Sequence, residues 1–184
     1  MMKFFTPCLI ICPMMLAACA DMSGGTETVG AGNAPVSATA TLVAADGSPR
    51  GTARAVASTD GIRLSIDGEN LPAGSHGAHV HMTGTCTPPD FASAGAHWNP
   101  GGRQHGRNNP QGMHMGDLPN LMIGTDGRGN LEMTIHGASL SGGANALLDG
   151  DGAALVIHAG PDDLATDPSG NSGGRIACGV FSAG

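Results

Sequence analysis

From residue 36 onward the apolar residues recur at every second position, and this period is what most restricts the fold. Ile62, Leu64 and Ile66 alternate with Arg63 and Ser65, and Leu131, Met133 and Ile135 alternate with Glu132 and Thr134. Side chains two apart share one face of a strand, so each run is a strand with one face buried and one solvated. Turn signals close the runs at short intervals: Asp46-Gly47-Ser48-Pro49, Asp60-Gly61, Asp67-Gly68, Asp126-Gly127 and Asp149-Gly150. Gly supplies 31 of 184 residues and Pro 12, without a Gly-X-Y period, so the excess belongs to turns and loops. Short strands punctuated in this way read as an antiparallel sandwich or barrel. Eight strands are expected, near 37–45, 51–58, 61–67, 77–82, 119–125, 130–136, 153–158 and 174–181. Residues 83–118 and 159–173 remain as long loops, and loops of that length inside a domain are usually functional.

The N-terminus reads as a processing signal. Lys3 precedes a mostly apolar stretch from Phe4 to Leu16, interrupted by Pro7 and Pro13 and too short to span a bilayer. Leu16-Ala17-Ala18-Cys19 resembles a bacterial lipobox, which makes residues 1–18 a signal peptide and Cys19 the lipid-bearing N-terminus. An ordinary secretory signal cut nearby is the other reading, and both take the protein out of the cytoplasm. Residues 19–35 are Ser/Gly/Thr/Ala-rich, the composition of a flexible tether, and 36–184 form the folded domain. The expected location is the periplasm or cell envelope, with Ala20 rather than Asp after Cys19 favouring an outer membrane.

Export simplifies the cysteines. Cys8 and Cys12 fall in the removed segment and Cys19 is the lipid candidate, which leaves Cys86 and Cys178. In an oxidising compartment these two form a disulfide that closes a loop of about ninety residues, worth about 4–5 kcal/mol in chain-entropy terms. Two free buried thiols are the other reading. Lys3 is the only lysine, so the exported chain sets seven arginines against 15 acids, a net −8. With no Tyr and a single Trp as well, the chain lacks both the basic footprint and the stacking platforms of a nucleic-acid binder.

Six of the eight histidines lie in or beside the two long loops: His79, His81, His97, His105, His114 and His158. His79 and His81, two apart on a strand, present their imidazoles on one face. His97, His105 and His114 lie in a Gly/Pro/Asn-rich loop with Asp117 just beyond, and three imidazoles with one carboxylate suit a closed tetrahedral zinc site. A lone histidine is more often hydrogen-bonded or exposed than a ligand. Six clustered ones need another explanation.

Through Gly77-Ala78-His79-Val80-His81, Cys86, Ser93-Ala94-Gly95-Ala96-His97-Trp98-Asn99-Pro100, His114-Met115-Gly116-Asp117-Leu118-Pro119-Asn120-Leu121, His158-Ala159-Gly160-Pro161-Asp162-Asp163 and Gly174-Arg175-Ile176-Ala177-Cys178-Gly179-Val180, residues 36–183 resemble the copper/zinc superoxide dismutase family. The resemblance implies an all-β fold, an eight-stranded antiparallel Greek-key barrel or sandwich with two long functional loops. It implies dismutation of superoxide to dioxygen and hydrogen peroxide by a copper centre cycling between Cu(II) and Cu(I), with zinc as structural partner. His79, His81, His97 and His158 would hold copper, and His97, His105, His114 and Asp117 zinc. His97 would bridge both metals and serve as proton donor. Asp162 would accept from the far nitrogens of a copper histidine and a zinc histidine, and Arg175 would guide the anion to copper. A homodimer is possible within the family.

Asp163 reads as a solvated loop acid, His76 as a packed, hydrogen-bonded residue and His136 as a strand-end surface residue. Phe91 and Trp98 are expected under the metal loop. Without lysines, steering would rest on Arg175, the metals and Arg103 or Arg107. Met113 and Met115 flank His114, and their thioethers can take up Cu(I), although packing is the preferred reading. The competing class, a module that stores or delivers metal without turnover, would be expected to lack a copper histidine or the arginine. A purely structural lipoprotein would leave the histidines unexplained.

Overall fold

In the computed structural model the described residues are 1–2 and 37–184, so the signal segment, Cys19 and the tether lie outside them. The expected alternation becomes a meander of three strands: β1 (Ser37–Val43), β2 (Pro49–Ser58) and β3 (Gly61–Gly68). Ala38 pairs with Ala55, Ala53 with Ile66 and Ala55 with Leu64. This register stacks small residues of β1 and β2 beside the larger ones of β3, all buried, and a shift of one residue would turn that apolar set outward.

After β3 the chain crosses to the far end of the sheet through β4 (Gly74–His76) and β5 (Ala78–His81). A long loop containing one 3-10 turn, Ala92–Ala94, leads to β6 (Leu121–Ile123) and then to β7 (Gly129–His136), which pairs with β3. The chain crosses again to β8 (Ala154–His158), then forms β9 (Arg175–Val180) and a short β10 (Ser182–Ala183). The sheet order is β5-β8-β9-β1-β2-β3-β7, with β10 pairing β1, and every pairing is antiparallel. The long crossovers are Greek-key connections. There is no α-helix among the described residues.

The architecture is the expected all-β one, a curled eight-stranded sheet, with β4 and β6 as a separate ribbon. The expected strand at 77–82 is therefore preceded by a segment that pairs elsewhere. The expected strand at 119–125 shortens to Leu121–Ile123. Pro119 has no N–H to give a ladder, and at Gly124 the backbone already turns, its N–H bonding Arg128 O at 2.8 Å. Residues 137–153 form a third long connection that the histidine pattern did not single out.

The sheet ends at β5, and loop backbone covers that edge. Val80 N–H donates to Gly116 O at 2.9 Å, Trp98 N–H to Val80 O at 2.8 Å and Gly116 N–H to Trp98 O at 2.8 Å. Satisfying the free edge in this way holds two passes of the long loop against the strand that carries His79 and His81.

Candidate metal centre

Ala78 and Val80 of β5 point into the main core, so His79 and His81 lie on the opposite face. Neighbouring β8 turns Leu155 and Ile157 to the core and ends at His158. The loop brings His97 beside His81. The ligating atoms of these four buried histidines lie within 4.8 Å of one another.

Three of the four rings are oriented by a fixed acceptor on the other nitrogen. His79 Nε2 donates to Asp162 Oδ2 at 2.7 Å, His81 Nδ1 to Gly95 O at 2.9 Å and His158 Nδ1 to Gly173 O at 3.1 Å. A carbonyl or carboxylate only accepts, so the proton sits on the outer nitrogen and the lone pair faces inward. The inward atoms are His79 Nδ1, His81 Nε2, His97 Nε2 and His158 Nε2, and all four are buried with no hydrogen-bond partner. A buried polar atom left unsatisfied costs about 1–3 kcal/mol. Four converging ones fit a cation.

A second cluster forms on the other side of His97. Asp117 Oδ1 lies 2.9 Å from His97 Nδ1, 3.0 Å from His105 Nδ1 and 3.2 Å from His114 Nδ1, and the last lies 3.4 Å from His97 Nδ1. Four donors around one zinc with bonds of about 2.0 Å stand about 3.3 Å apart at tetrahedral angles. The observed spacings bracket that value. His79 also falls within 4.8 Å of His97, His105 and Asp117, but its outer nitrogen is committed to Asp162 and its inner one belongs to the first cluster. His114 therefore closes the second set. The remaining oxygen of Asp117 accepts from Gly106 N–H at 2.9 Å and His114 N–H at 3.0 Å.

Asp162 joins the two clusters. Its Oδ2 holds His79 and its Oδ1 accepts from His105 Nε2 at 3.0 Å and Leu164 N–H at 2.6 Å. Asn120 grips the same peptide, accepting from Asp162 N–H at 2.8 Å and donating to Asp162 O at 2.9 Å. Asp167 Oδ1 accepts from His105 N–H at 2.6 Å and ties the 159–174 loop to the histidine loop. Neither Asn120 nor Asp167 carried a sequence signal of its own, because each role depends on loops far apart in the chain.

The same geometry sets the charges. Burial lowers His79 and His158 to about 4, and lowers His81 and His97 as well. These rings are neutral at neutral pH, as ligands must be. For His105 burial opposes the charge, but hydrogen bonds to Asp117 and Asp162 outweigh it and raise the ring to about 9. Burial likewise opposes the charge on Asp117 and Asp162, yet their histidine partners hold both carboxyls well below the usual range.

Arg175 opens β9 opposite His158. It donates from Nη1 to Phe91 O at 2.7 Å and from Nη2 to Gly95 O at 2.8 Å. Gly95 O thus serves both Arg175 and His81, which fixes the guanidinium relative to the first cluster. Burial lowers Arg175, though it stays a cation. Three residues on, Cys178 is bonded to Cys86, their Cα atoms 5.7 Å apart, as expected. The bond packs with Phe91, Ala94, Ala154 and Val156.

Phe91 thus lies under the loop, whereas Trp98 is part of the main core. His76 is buried between two carbonyls, His158 O and Pro72 O, each at 2.8 Å, while His136 is exposed. Asp163 is an exposed acid, as expected. A cleft of about 500 Å³ reaches His97 and His114 and is lined by Arg103 together with Asp149, Asp151 and Asp167. Arg107 is not among its walls.

An antiparallel β fold whose loops bring two histidine-rich clusters, each able to hold a metal ion, to the two sides of His97 defines a metal-binding class of β protein. Residues 49–181 match the copper/zinc superoxide dismutase (SODC) family, and the chain belongs to that family. By that membership it is an enzyme of the superoxide dismutase type. It is 41% identical over 146 residues to "Superoxide dismutase [Cu-Zn] 2" of Aquifex aeolicus, covering 77% of this chain and 84% of that one. It is 43% identical over 148 residues to "Superoxide dismutase [Cu-Zn]" of Caulobacter vibrioides, covering 79% and 85%. Among solved structures, a superoxide dismutase-like protein from Bacillus subtilis superposes with a TM-score of 0.74 at 41% identity, covering 77% of this chain and 96% of that one.

Proposed function

We propose that the protein dismutates superoxide, with copper held by His79, His81, His97 and His158 and zinc held by His97, His105, His114 and Asp117. The observation that carries this reading is the set of four buried, unpartnered nitrogens converging beside a tetrahedrally spaced N₃O set. Four imidazoles suit copper in its oxidised state, and N₃O suits zinc. When bound, copper supplies one-electron chemistry, cycling between Cu(II) and Cu(I) as two superoxide ions and two protons become dioxygen and hydrogen peroxide.

The chain's own residues supply the rest. Arg175 holds a fixed positive charge beside the first cluster, where a small anion is both attracted and oriented. His97 keeps Nδ1 on the zinc side while Nε2 faces the copper side, so a proton can be held and released at Nε2 without loss of the ring's position. Asp162 keeps His79 and His105 in single tautomers.

The reading includes export and a lipid anchor at Cys19, which attaches the domain to a membrane of the cell envelope; Leu16-Ala17-Ala18-Cys19 supports it. Mass spectrometry of the mature N-terminus should find a diacylglyceryl Cys19, and an unmodified N-terminus elsewhere would refute the anchor. For the activity, metal content is measured beside superoxide turnover on the purified domain. Near-stoichiometric copper and zinc with turnover is expected. Full metal without turnover would establish a metal-storing module instead.

A further inference from the structure

Every ring of the two clusters has its second nitrogen accounted for except one. The outer nitrogens of His79 and His105 are held by Asp162, those of His81 and His158 by the carbonyls of Gly95 and Gly173, and both nitrogens of His97 face a cluster. His114 turns Nδ1 to the zinc-side set, while its Nε2 makes no hydrogen bond among the described residues. The side chain is 8% exposed, and His114 lines the cleft of about 500 Å³. The acid facing that nitrogen is Asp167, whose Oδ1 lies 3.9 Å from His114 Nε2.

Joining the loops does not account for this carboxylate. Asn108 N–H already donates to Leu164 O at 2.9 Å, and Gly106 packs against the same carbonyl. Among the described residues Asp167 makes no side-chain hydrogen bond within its own loop, and its Oδ1 is fixed by His105 N–H at 2.6 Å. One oxygen thus stands between two zinc-side histidines, bonded to the backbone of one and facing the ring of the other. A neutral imidazole that gives Nδ1 to a cation carries its proton on Nε2, and a carboxylate on that proton fixes the ring and raises its basicity as a ligand. An approach of about 1 Å turns the separation into a hydrogen bond. Asp149, which lines the same cleft, is taken up by its own turn, accepting from Gly152 N–H at 3.0 Å. We propose that Asp167 is a positioning residue for zinc: it accepts the Nε2 proton of His114, as Asp162 accepts that of His105, so the 159–174 loop supplies both outer carboxylates. The proposal rests on the assignment of zinc to His97, His105, His114 and Asp117.

The test uses the full chain with copper reduced by ascorbate and cobalt(II) in place of zinc, so that paramagnetic NMR resolves the ring N–H protons of the bound histidines. In Asp167→Ala the Nε2 proton of His114 should exchange with water at least about tenfold faster, while that of His105, held by Asp162, keeps its rate. Zinc should bind about 10–100-fold more weakly by chelator competition, with copper affinity unchanged. Asp167→Asn, which keeps an oxygen in place without the charge, should fall between the parent and the alanine variant. Equal acceleration of both ring protons would mean a loosened loop rather than a lost acceptor and would overturn the proposal. So would a zinc affinity in Asp167→Ala within about twofold of the parent, well short of a lost partner behind a ligand. A parent that takes up no cobalt would overturn the zinc assignment itself, and the proposal with it.

Discussion

Arg175 donates to Gly95 O, the carbonyl that also orients His81, so its charge is set next to the copper-side cluster without being a ligand. Arg175→Ala should therefore retain both metals and lower turnover at least about tenfold, since removing a local field acts on anion capture. Arg175→Glu should be slower still. Coulomb attraction beyond about 8 Å is screened at physiological ionic strength. With acids at 149, 151 and 167 lining the cleft to His97 and no lysine outside Lys3, salt should weaken turnover little or even raise it. Equal turnover in all three proteins would rule out guidance by the arginine. The two histidine sets should also separate. His114→Ala should lose zinc while copper still binds, and His158→Ala should lose copper and turnover but keep zinc, each read by metal analysis. Loss of both metals in both variants would argue for one merged site.

At the level of elements, the two loops depend on each other as well as on the sheet edge. Gly106 N–H reaches Asp117, and at φ 100° its Cα lies so close to Leu164 O that a Cβ would strike it. Gly170, at φ 61°, leaves room for Asp162, and a Cβ there would fall on Asp162 Oδ1 and crowd His105 Nε2. Gly170→Ala should thus displace the carboxylate that spans the clusters. We expect a roughly 10–100-fold loss of zinc affinity, measured by chelator competition, with the sheet unchanged by circular dichroism. Cys178→Ser acts on another join. The disulfide links positions 92 residues apart and underlies Phe91, which holds Arg175. Its loss should cost about 2–5 kcal/mol in denaturant unfolding and lower turnover through Arg175. An unchanged unfolding midpoint would contradict this.

For the whole molecule, the buried rings make the stability of the metal-free protein depend on pH in two directions. His79 and His158, held near 4 by burial against an ordinary 6.5, charge more readily when unfolded. Their contribution is full above pH 6.5 and is lost as pH falls toward 4. His105, raised to about 9, is charged when folded, so its contribution is full below pH 6.5 and is lost as pH rises toward 9. The Tm of chelator-treated protein should peak near pH 6.5, with the steeper limb on the acid side because several rings act there. Added zinc should flatten the alkaline limb by replacing the proton on His105. A Tm that climbs steadily to pH 9 without metal would refute this. Much of this protein was legible in residue order. Alternation at 62–66 and 131–135 marks strands because pleat geometry is local, and the His-X-His pair at 79 and 81 falls on one face for the same reason. The Cys86 to Cys178 pairing followed from elimination. The ribbon of β4 and β6, the grip of Asn120 and Asp167 on the loops and the place of Trp98 in the main core could not be read that way. Each depends on which distant segments meet when the sheet curls, and such meetings are decided by the packing of the whole core, which no local period encodes.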